Sequence, residues 1–135
     1  MIEINKDLLN ELFEAAKVNP RLRQNYDLRT SAEDGGQRMM TALLPGTEVA
    51  VHRHPMSNES VLVLVGKLDE VLYDDNGVEI ERIQLDPSAG KFGCVVPAGV
   101  WHTVEVHEPT VIYEAKDGRY GEDGSQTFEQ YLAQR

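Results

Sequence analysis

The chain has 135 residues, enough to bury a hydrophobic core but too few for two domains of ordinary size. We therefore expect one domain over residues 1–135. Its 13 Lys and Arg against 23 Asp and Glu give a formal net charge of -10 at pH 7. A surface of that charge repels phosphate backbones and anionic lipid headgroups, which argues against nucleic-acid and membrane partners.

The single cysteine, Cys94, excludes an internal disulfide. It lies in an apolar run, residues 92–96, that we interpret as buried, where a thiol serves as small apolar filler. The opening segment is amphipathic and lacks the apolar run and cleavage site of a signal peptide. We predict a cytoplasmic location.

Residues 6–17 have apolar side chains at spacings of three and four, which predicts a helix with one buried face. Asn5 is suited to cap its first turn, and Pro20 ends the segment. We assign residues 1–20 to this helix and to the entry into the rest of the domain.

Beyond a polar stretch over residues 24–36, short runs rich in Val, Leu and Ile alternate with turn-forming residues. The predicted strands are residues 38–44, 48–52, 60–65, 67–73, 78–85, 92–96, 101–106 and 111–115. Short strands at this spacing predict an all-β sandwich or barrel, here over residues 37–116.

Residues 117–135 are predicted to form a C-terminal tail. A polar, Gly-rich loop comes first, and residues 127–133 are expected to form a short helix. Three of its side chains, Phe128, Tyr131 and Leu132, are predicted to face inward.

Three of the four histidines, with one glutamate, lie where a metal site would need them. In an extended strand alternate side chains share a face, so His52 and His54 point the same way. A turn after Pro55 returns the chain, so that Glu59 comes back beside the pair. His102 follows a second tight turn. By alternation along the strand, His107 points away from the face that carries His102.

A set of three imidazoles and one carboxylate suits one divalent ion of Fe, Mn, Ni, Cu or Zn and leaves coordination positions open for water or substrate. On the face of Glu59, alternation continues with Val61, Val63 and Val65, which predicts an apolar interior around the ligands. Leu62 and Leu64 then lie on the outer face, which the N-terminal helix, neighbouring strands or a second copy of the chain could cover. An isologous dimer is the commonest solution, so we predict a homodimer.

Four further residues are candidates for binding the substrate. Arg38, in a predicted strand, and Lys116 could attract a carboxylate or phosphate group at the barrel mouth. Tyr113 and Tyr120, with Glu114, are the nearest candidates for proton transfer.

Two motifs of the sequence resemble those of the cupin superfamily. The first runs from Gly46 through His52-Arg53-His54 and Glu59 to Gly66, and the second is Pro97 to His102. The second departs from the usual pattern, because Gly90 is one residue too far from Pro97 and Val106 stands where asparagine is common.

Further segments resemble the WbuC family of cupin-fold metalloproteins. They are Asn19-Pro20-Arg21, Gln37 to Met40, Pro45-Gly46-Thr47, His52 to Pro55 and Lys116 to Tyr120. The resemblance implies a cupin fold (a double-stranded β-helix, or jelly-roll barrel) with an N-terminal and a short C-terminal helix. It also implies a setting in surface-polysaccharide metabolism, with a sugar or nucleotide sugar as ligand, and brings no established reaction.

Two classes of function remain open from the sequence. One is a metal-dependent enzyme, an isomerase, lyase or oxygenase, acting on a small polar or acidic molecule. The other is a non-catalytic module in which the metal anchors a ligand or stabilises the barrel. A metal-free sugar epimerase is a third reading, and it predicts no ion at all.

Overall fold

The computed structural model describes residues 1–135. The first helix, α1 (Lys6–Val18), begins at Asn5, whose side-chain oxygen accepts a hydrogen bond of 3.0 Å from the backbone N–H of Leu8. Eight strands and a short second helix follow: β1 (Arg23–Asp27), β2 (Gly36–Leu43), β3 (His52–Arg53), β4 (Glu59–Tyr73), β5 (Glu79–Leu85), β6 (Gly93–Val96), β7 (Trp101–Asp117), β8 (Gln126–Thr127) and α2 (Phe128–Ala133). Neither helix is long and apolar enough to span a membrane.

All strand pairs are antiparallel, and the two longest strands, β4 and β7, pair along nearly their whole length. The first half of β4 pairs on its other edge with β6, and the second half pairs with β5. On the far side of β7, its C-terminal half pairs with β2 and its N-terminal half with β3. Hydrogen bonds therefore join all eight strands into one sheet, and the two long strands run through both of its halves, which we call its two sheets. This arrangement is a jelly-roll barrel.

Irregular pairing between Val63 and Leu68 divides β4 into its two halves. Gly66 lies there with φ of 101°, and a Cβ at this position would overlap the backbone of Pro109 and Thr110. The predicted strands 60–65 and 67–73 are thus one continuous strand that bends at a glycine, and residues 101–106 and 111–115 are likewise parts of β7.

The hydrophobic core has two parts. The barrel interior is filled by Leu43, Val61, Val63, Leu68, Leu85 and Ile112. The second part lies between α1 and the outer face of β2 and β7, where Leu12 and Ala16 pack against Met40, Ala42 and Val111. The N-terminal helix therefore covers one side of the barrel.

The structure differs from the sequence prediction at the edges of the sheets. β1 was not predicted, because in this strand only Tyr26 packs on the core, while Arg23 and Asn25 line a cavity. The predicted strand 48–52 was wrong for most of its length, since regular pairing begins only at His52. In α2, Phe128 and Tyr131 pack against Trp101 as predicted, but Leu132 is 48% exposed.

Candidate metal centre

Three strand ends bring the four predicted metal-binding residues together. His52 in β3 is the direct cross-strand partner of His102 at the start of β7. His54 follows β3, where its backbone carbonyl accepts a 3.0 Å hydrogen bond from the N–H of Gly99. Glu59 begins β4 and belongs to the opposite sheet, paired with Val96.

One ligand atom from each of His52, His54, Glu59 and His102 lies within 4.8 Å of the other three. The ring centroids of His52 and His102 are 4.3 Å apart, and those of His54 and His102 are 5.3 Å apart. His54, Glu59 and His102 are all more than nine-tenths buried. The predicted convergence of these four side chains is therefore present in the fold.

A hydrogen bond at Nδ1, the ring nitrogen turned away from the cluster, fixes the orientation of each imidazole. Nδ1 of His52 donates to the carbonyl of Ala50 at 2.7 Å, and Nδ1 of His102 donates to the carbonyl of Val100 at 2.9 Å. Because a carbonyl only accepts, Nδ1 carries a proton, and Nε2 of a neutral ring keeps its lone pair. His54 pairs through Nδ1 with the hydroxyl of Ser125 at 2.7 Å.

The inner nitrogens lack any partner of their own. Nε2 of His54 and Nε2 of His102 are buried and make no hydrogen bond. Nε2 of His54 lies 2.9 Å from a carboxylate oxygen of Glu59 without the alignment of a hydrogen bond. A cation between the side chains would satisfy these electron pairs.

The ionisation of the cluster also suits a metal ion. Burial, together with the neighbouring His102, lowers the pKa of His52 to about 4, which keeps the ring neutral. Burial alone would raise the pKa of Glu59, but His102, His54 and Lys116 outweigh it, so this pKa lies well below its usual range. Neutral imidazoles and an ionised carboxylate are the protonation states that bind metal. The cluster fits a single divalent ion.

A cavity of about 220 Å³ opens beside the cluster. His52, Glu59 and His102 form part of its wall, and apolar side chains such as Val61 and Ile112 form much of the rest. The predicted apolar interior around the ligands is thus present as far as Val63, whereas Val65 lies beyond the bend and is 40% exposed.

Two further carboxyl groups, Glu70 and Glu114, line the same cavity. Glu70 is 2% exposed, and neither of its carboxyl oxygens has a hydrogen-bond partner. Burial and the charges of Glu59 and Glu114 raise the pKa of Glu70 to about 9. Burial and the adjacent Glu59 also raise the pKa of Glu114.

Of the four residues predicted to bind substrate, Lys116 lies beside the cluster, with Nζ 3.4 Å from the carboxylate of Glu59. Arg38 forms an ion pair of 2.8 Å with Asp34 and lines a separate, open pocket. Tyr113 packs in the core beneath α1. Tyr120 is 66% exposed and lies near the guanidinium of Arg29.

Sequence reasoning missed three polar residues around the site, Glu70, Asn25 and Ser125. Asn25 and Glu70 line the cavity, but the first lies in a strand without an apolar pattern and the second follows the bend in β4. Ser125 lies in the loop predicted for residues 117–126, and no local signal marks it as a partner of His54. His107 lies outside the cluster as predicted, 3.1 Å from Asp69.

Comparison by sequence gives one family. Residues 4–85 match the model of a family described as a domain of unknown function, DUF6016. No curated protein matches the chain by sequence.

Comparison by structure gives proteins of the cupin fold. An oxalate decarboxylase from Lactobacillus farciminis, solved as a formate complex, aligns over 84% of the chain with a TM-score of 0.63 and 14% identity. An oxalate oxidase bound to the substrate analogue glycolate aligns over 82%, with a TM-score of 0.61 and 19% identity. The oxalate decarboxylase of Bacillus subtilis, which has Mn(II) centres, aligns over 84%, with a TM-score of 0.62 and 19% identity.

The chain spans 33%, 57% and 29% of the length of these three proteins. At these identities the likeness establishes the fold and leaves the reaction open. The predicted all-β cupin fold with an N-terminal and a short C-terminal helix is confirmed. The cupin fold thus carries a cluster of three histidines and one glutamate that could hold a metal ion.

Proposed function

Given that the chain belongs to the DUF6016 family and has the cupin fold, we propose that it is a metal-dependent enzyme acting on a small polar or acidic molecule. His52, His54, Glu59 and His102 would bind the ion, which is Fe, Mn, Ni, Cu or Zn by the chemistry of the donor set. A bound ion of this kind supplies a Lewis acid that polarises a carbonyl or hydroxyl oxygen.

The cavity beside the cluster is the observation that carries this proposal. A structural metal site is closed by protein ligands, whereas a catalytic site adjoins space that water or substrate can enter. Here His52, Glu59 and His102 are shared between the cluster and a cavity of about 220 Å³. At about 30 Å³ for each water molecule, that volume equals roughly seven waters.

The chain's own residues supply what an isomerase or lyase needs besides a metal. Glu114 lines the cavity and is the candidate to hold or move a proton at a bound substrate. Lys116, close to Glu59, supplies a positive charge beside this carboxylate. Oxidation by an oxygenase remains the third reaction class, and it needs no proton-transfer residue from the barrel.

Two observations support the substrate class. The structural neighbours include enzymes of oxalate, a small acid, and one is bound to glycolate. The segments that resemble the WbuC family support a sugar or nucleotide sugar of surface-polysaccharide metabolism as the substrate. In that setting a cytoplasmic location remains our prediction.

Glycolate binding to Mn(II)-loaded protein tests the proposal. We expect the enhanced relaxation rate of water protons to fall as glycolate is added, because the anion displaces water from an accessible ion. A relaxation rate that is hardly enhanced by the bound Mn(II) and that glycolate leaves unchanged would mean a saturated, closed ion and would favour a non-catalytic metal-binding module. Protein with the exposed Glu81 replaced, E81M, serves as the matched control and should behave as the wild type.

We further propose that residues 1–135 form one domain that assembles as a homodimer. The outer face of β4 and β6 carries Leu62 at 50%, Leu64 at 41% and Val95 at 59% exposure, and Ser60 between them is also uncharged. On a chain with a net charge of -10, two such neutral faces meet without like-charge repulsion.

Light scattering tests the proposed homodimer. It should give twice the chain mass for the wild type and the chain mass for L62E; a wild-type monomer would contradict the proposal.

A further inference from the structure

Glu70 is a carboxyl group without a partner in the interior of the barrel. Both of its oxygens are buried and make no hydrogen bond, although the residue is 2% exposed. Taking a polar group out of water without replacing its hydrogen bonds is unfavourable. Such a group lowers the stability of the fold unless something outside the chain binds to it.

The position of Glu70 relates it to the metal centre. It pairs across the sheet with Val104, while His102, two residues earlier in β7, pairs with Leu72. Two residues along a strand span about 7 Å, and this is the offset along the strand between Glu70 and the level of His102. Glu70 and three of the four clustered residues line the same cavity, so one small ligand can reach both ends.

We propose that the carboxyl group of Glu70 forms a second subsite of this cavity, which binds the hydroxyl groups of a small polyhydroxylated ligand. The inference rests on the proposed function, since the other end of the same ligand is bound at the four-residue cluster. The subsite narrows the proposed substrate to small polar or acidic molecules that carry hydroxyl groups.

The charges around Glu70 select for hydroxyl groups. The cavity wall carries three carboxyl groups, those of Glu59, Glu70 and Glu114, against one guanidinium group, that of Arg23, which donates a 2.8 Å hydrogen bond to the carbonyl of Glu48. This excess of carboxyl groups disfavours a second carboxylate on the ligand. Because its pKa is raised to about 9, Glu70 is a neutral acid at pH 7. A neutral carboxyl group donates one hydrogen bond and accepts others, and a hydroxyl group has the same two capacities.

The other walls of the cavity agree with a ligand of this kind. Apolar side chains, among them Met39, Val49 and Val104, alternate with the polar Asn25 and Thr41. A sugar or sugar acid presents C–H faces as well as hydroxyl edges, and both find matching surface here. The arrangement is typical of small-molecule sites, where a few polar groups orient the ligand within an apolar wall.

A pair of six-carbon acids tests the subsite on Mn(II)-loaded protein. Gluconate carries hydroxyl groups along its chain, and 2-hydroxyhexanoate has the same carbon count and the same α-hydroxy acid end without the other hydroxyl groups. We expect gluconate to bind the wild type at least tenfold more tightly than 2-hydroxyhexanoate, measured by calorimetry. In E70M, which removes the carboxyl group at similar length, this preference should disappear, whereas E70Q, which still donates and accepts hydrogen bonds, should keep most of it.

Three controls separate the possible failures. Glycolate, too short to reach Glu70, should bind wild type and E70M alike, and both should hold the same amount of metal. Thermal unfolding of E70M at or above the wild-type temperature shows that lost gluconate binding is not misfolding. If gluconate and 2-hydroxyhexanoate bind the wild type equally, or if gluconate binds E70M as tightly as the wild type, the subsite is wrong. If the wild type holds no metal, the proposed function itself fails.

Discussion

At the scale of single residues, the histidines are prepared for a metal by their backbone surroundings. His52 and His102 each donate through Nδ1 to the carbonyl two residues earlier, so that Nε2 of each ring keeps its lone pair. The sequence predicts all four clustered residues, because alternation and two turns suffice to bring them together. It does not predict the partner of His54, since Ser125 approaches from a loop distant in sequence.

Replacing Ser125 tests whether this hydroxyl orients His54. S125A removes the 2.7 Å hydrogen bond to Nδ1, and we expect metal affinity to fall about tenfold, with little change in thermal stability. Competition with a metal-binding dye would measure the affinity. S60A, at an exposed serine of β4, is the matched control, and equal affinities for the two variants would show that Ser125 does not orient the ligand.

Replacing Glu70 should change how stability depends on pH in the metal-free protein. The pKa of Glu70 is about 9 in the fold against an ordinary 4.5, so between these values the unfolded chain loses a proton that the folded chain keeps. The contribution of Glu70 is therefore fully present below pH 4.5 and is lost as the pH rises toward 9.

E70M has no such group, so its advantage over the wild type in the free energy of unfolding should grow from pH 5 to pH 9. Urea unfolding at pH 5, 7 and 9 measures this difference, and titrating residues that do not interact with Glu70 cancel in the comparison. A difference that stays constant with pH would show that Glu70 is ionised, or exposed to water, in the folded protein.

At the scale of elements, the bend in β4 decides which side chains enter the barrel. From Glu59 to Val63, every second side chain, starting with Glu59, points into the barrel. Beyond the irregular pairing, the inward side chains are those of Leu68 and Glu70. Simple alternation from Glu59 would have placed Glu70 outside. Strand periodicity in the sequence therefore predicts the metal site, which lies before the bend, and misses the carboxyl group that lies after it.

Gly66 is expected to be required for this bend. In G66A the new Cβ would overlap the backbone of Pro109 and Thr110 at a φ of 101°, so we expect a loss of more than about 2 kcal/mol in the free energy of unfolding. G90A is the control, because Gly90 also has positive φ but no atom within 4 Å of a new Cβ, and it should lose about 1 kcal/mol. Equal losses in urea unfolding would mean that the close contact at Gly66 is unimportant.

At the scale of the whole molecule, two sheets joined by β4 and β7 bring a cluster from three strand ends to one side of an interior cavity. The sequence predicts the architecture because turns and short apolar runs mark most of the strands. It does not predict β1, a mostly polar edge strand whose residues face the cavity. Since Arg23 and Asn25 of this strand line the cavity and do not pack in the core, the apolar pattern is missing.

The metal content of the protein tests the central claim most directly. Protein purified without a metal-affinity tag is analysed for Fe, Mn, Ni, Cu and Zn beside the variants H52A and E59A, with E81M as a surface control. The cluster of His52, His54, Glu59 and His102 predicts about one divalent ion per chain in the wild type and E81M, and a large loss in both H52A and E59A. Substoichiometric metal that neither substitution changes would contradict the account.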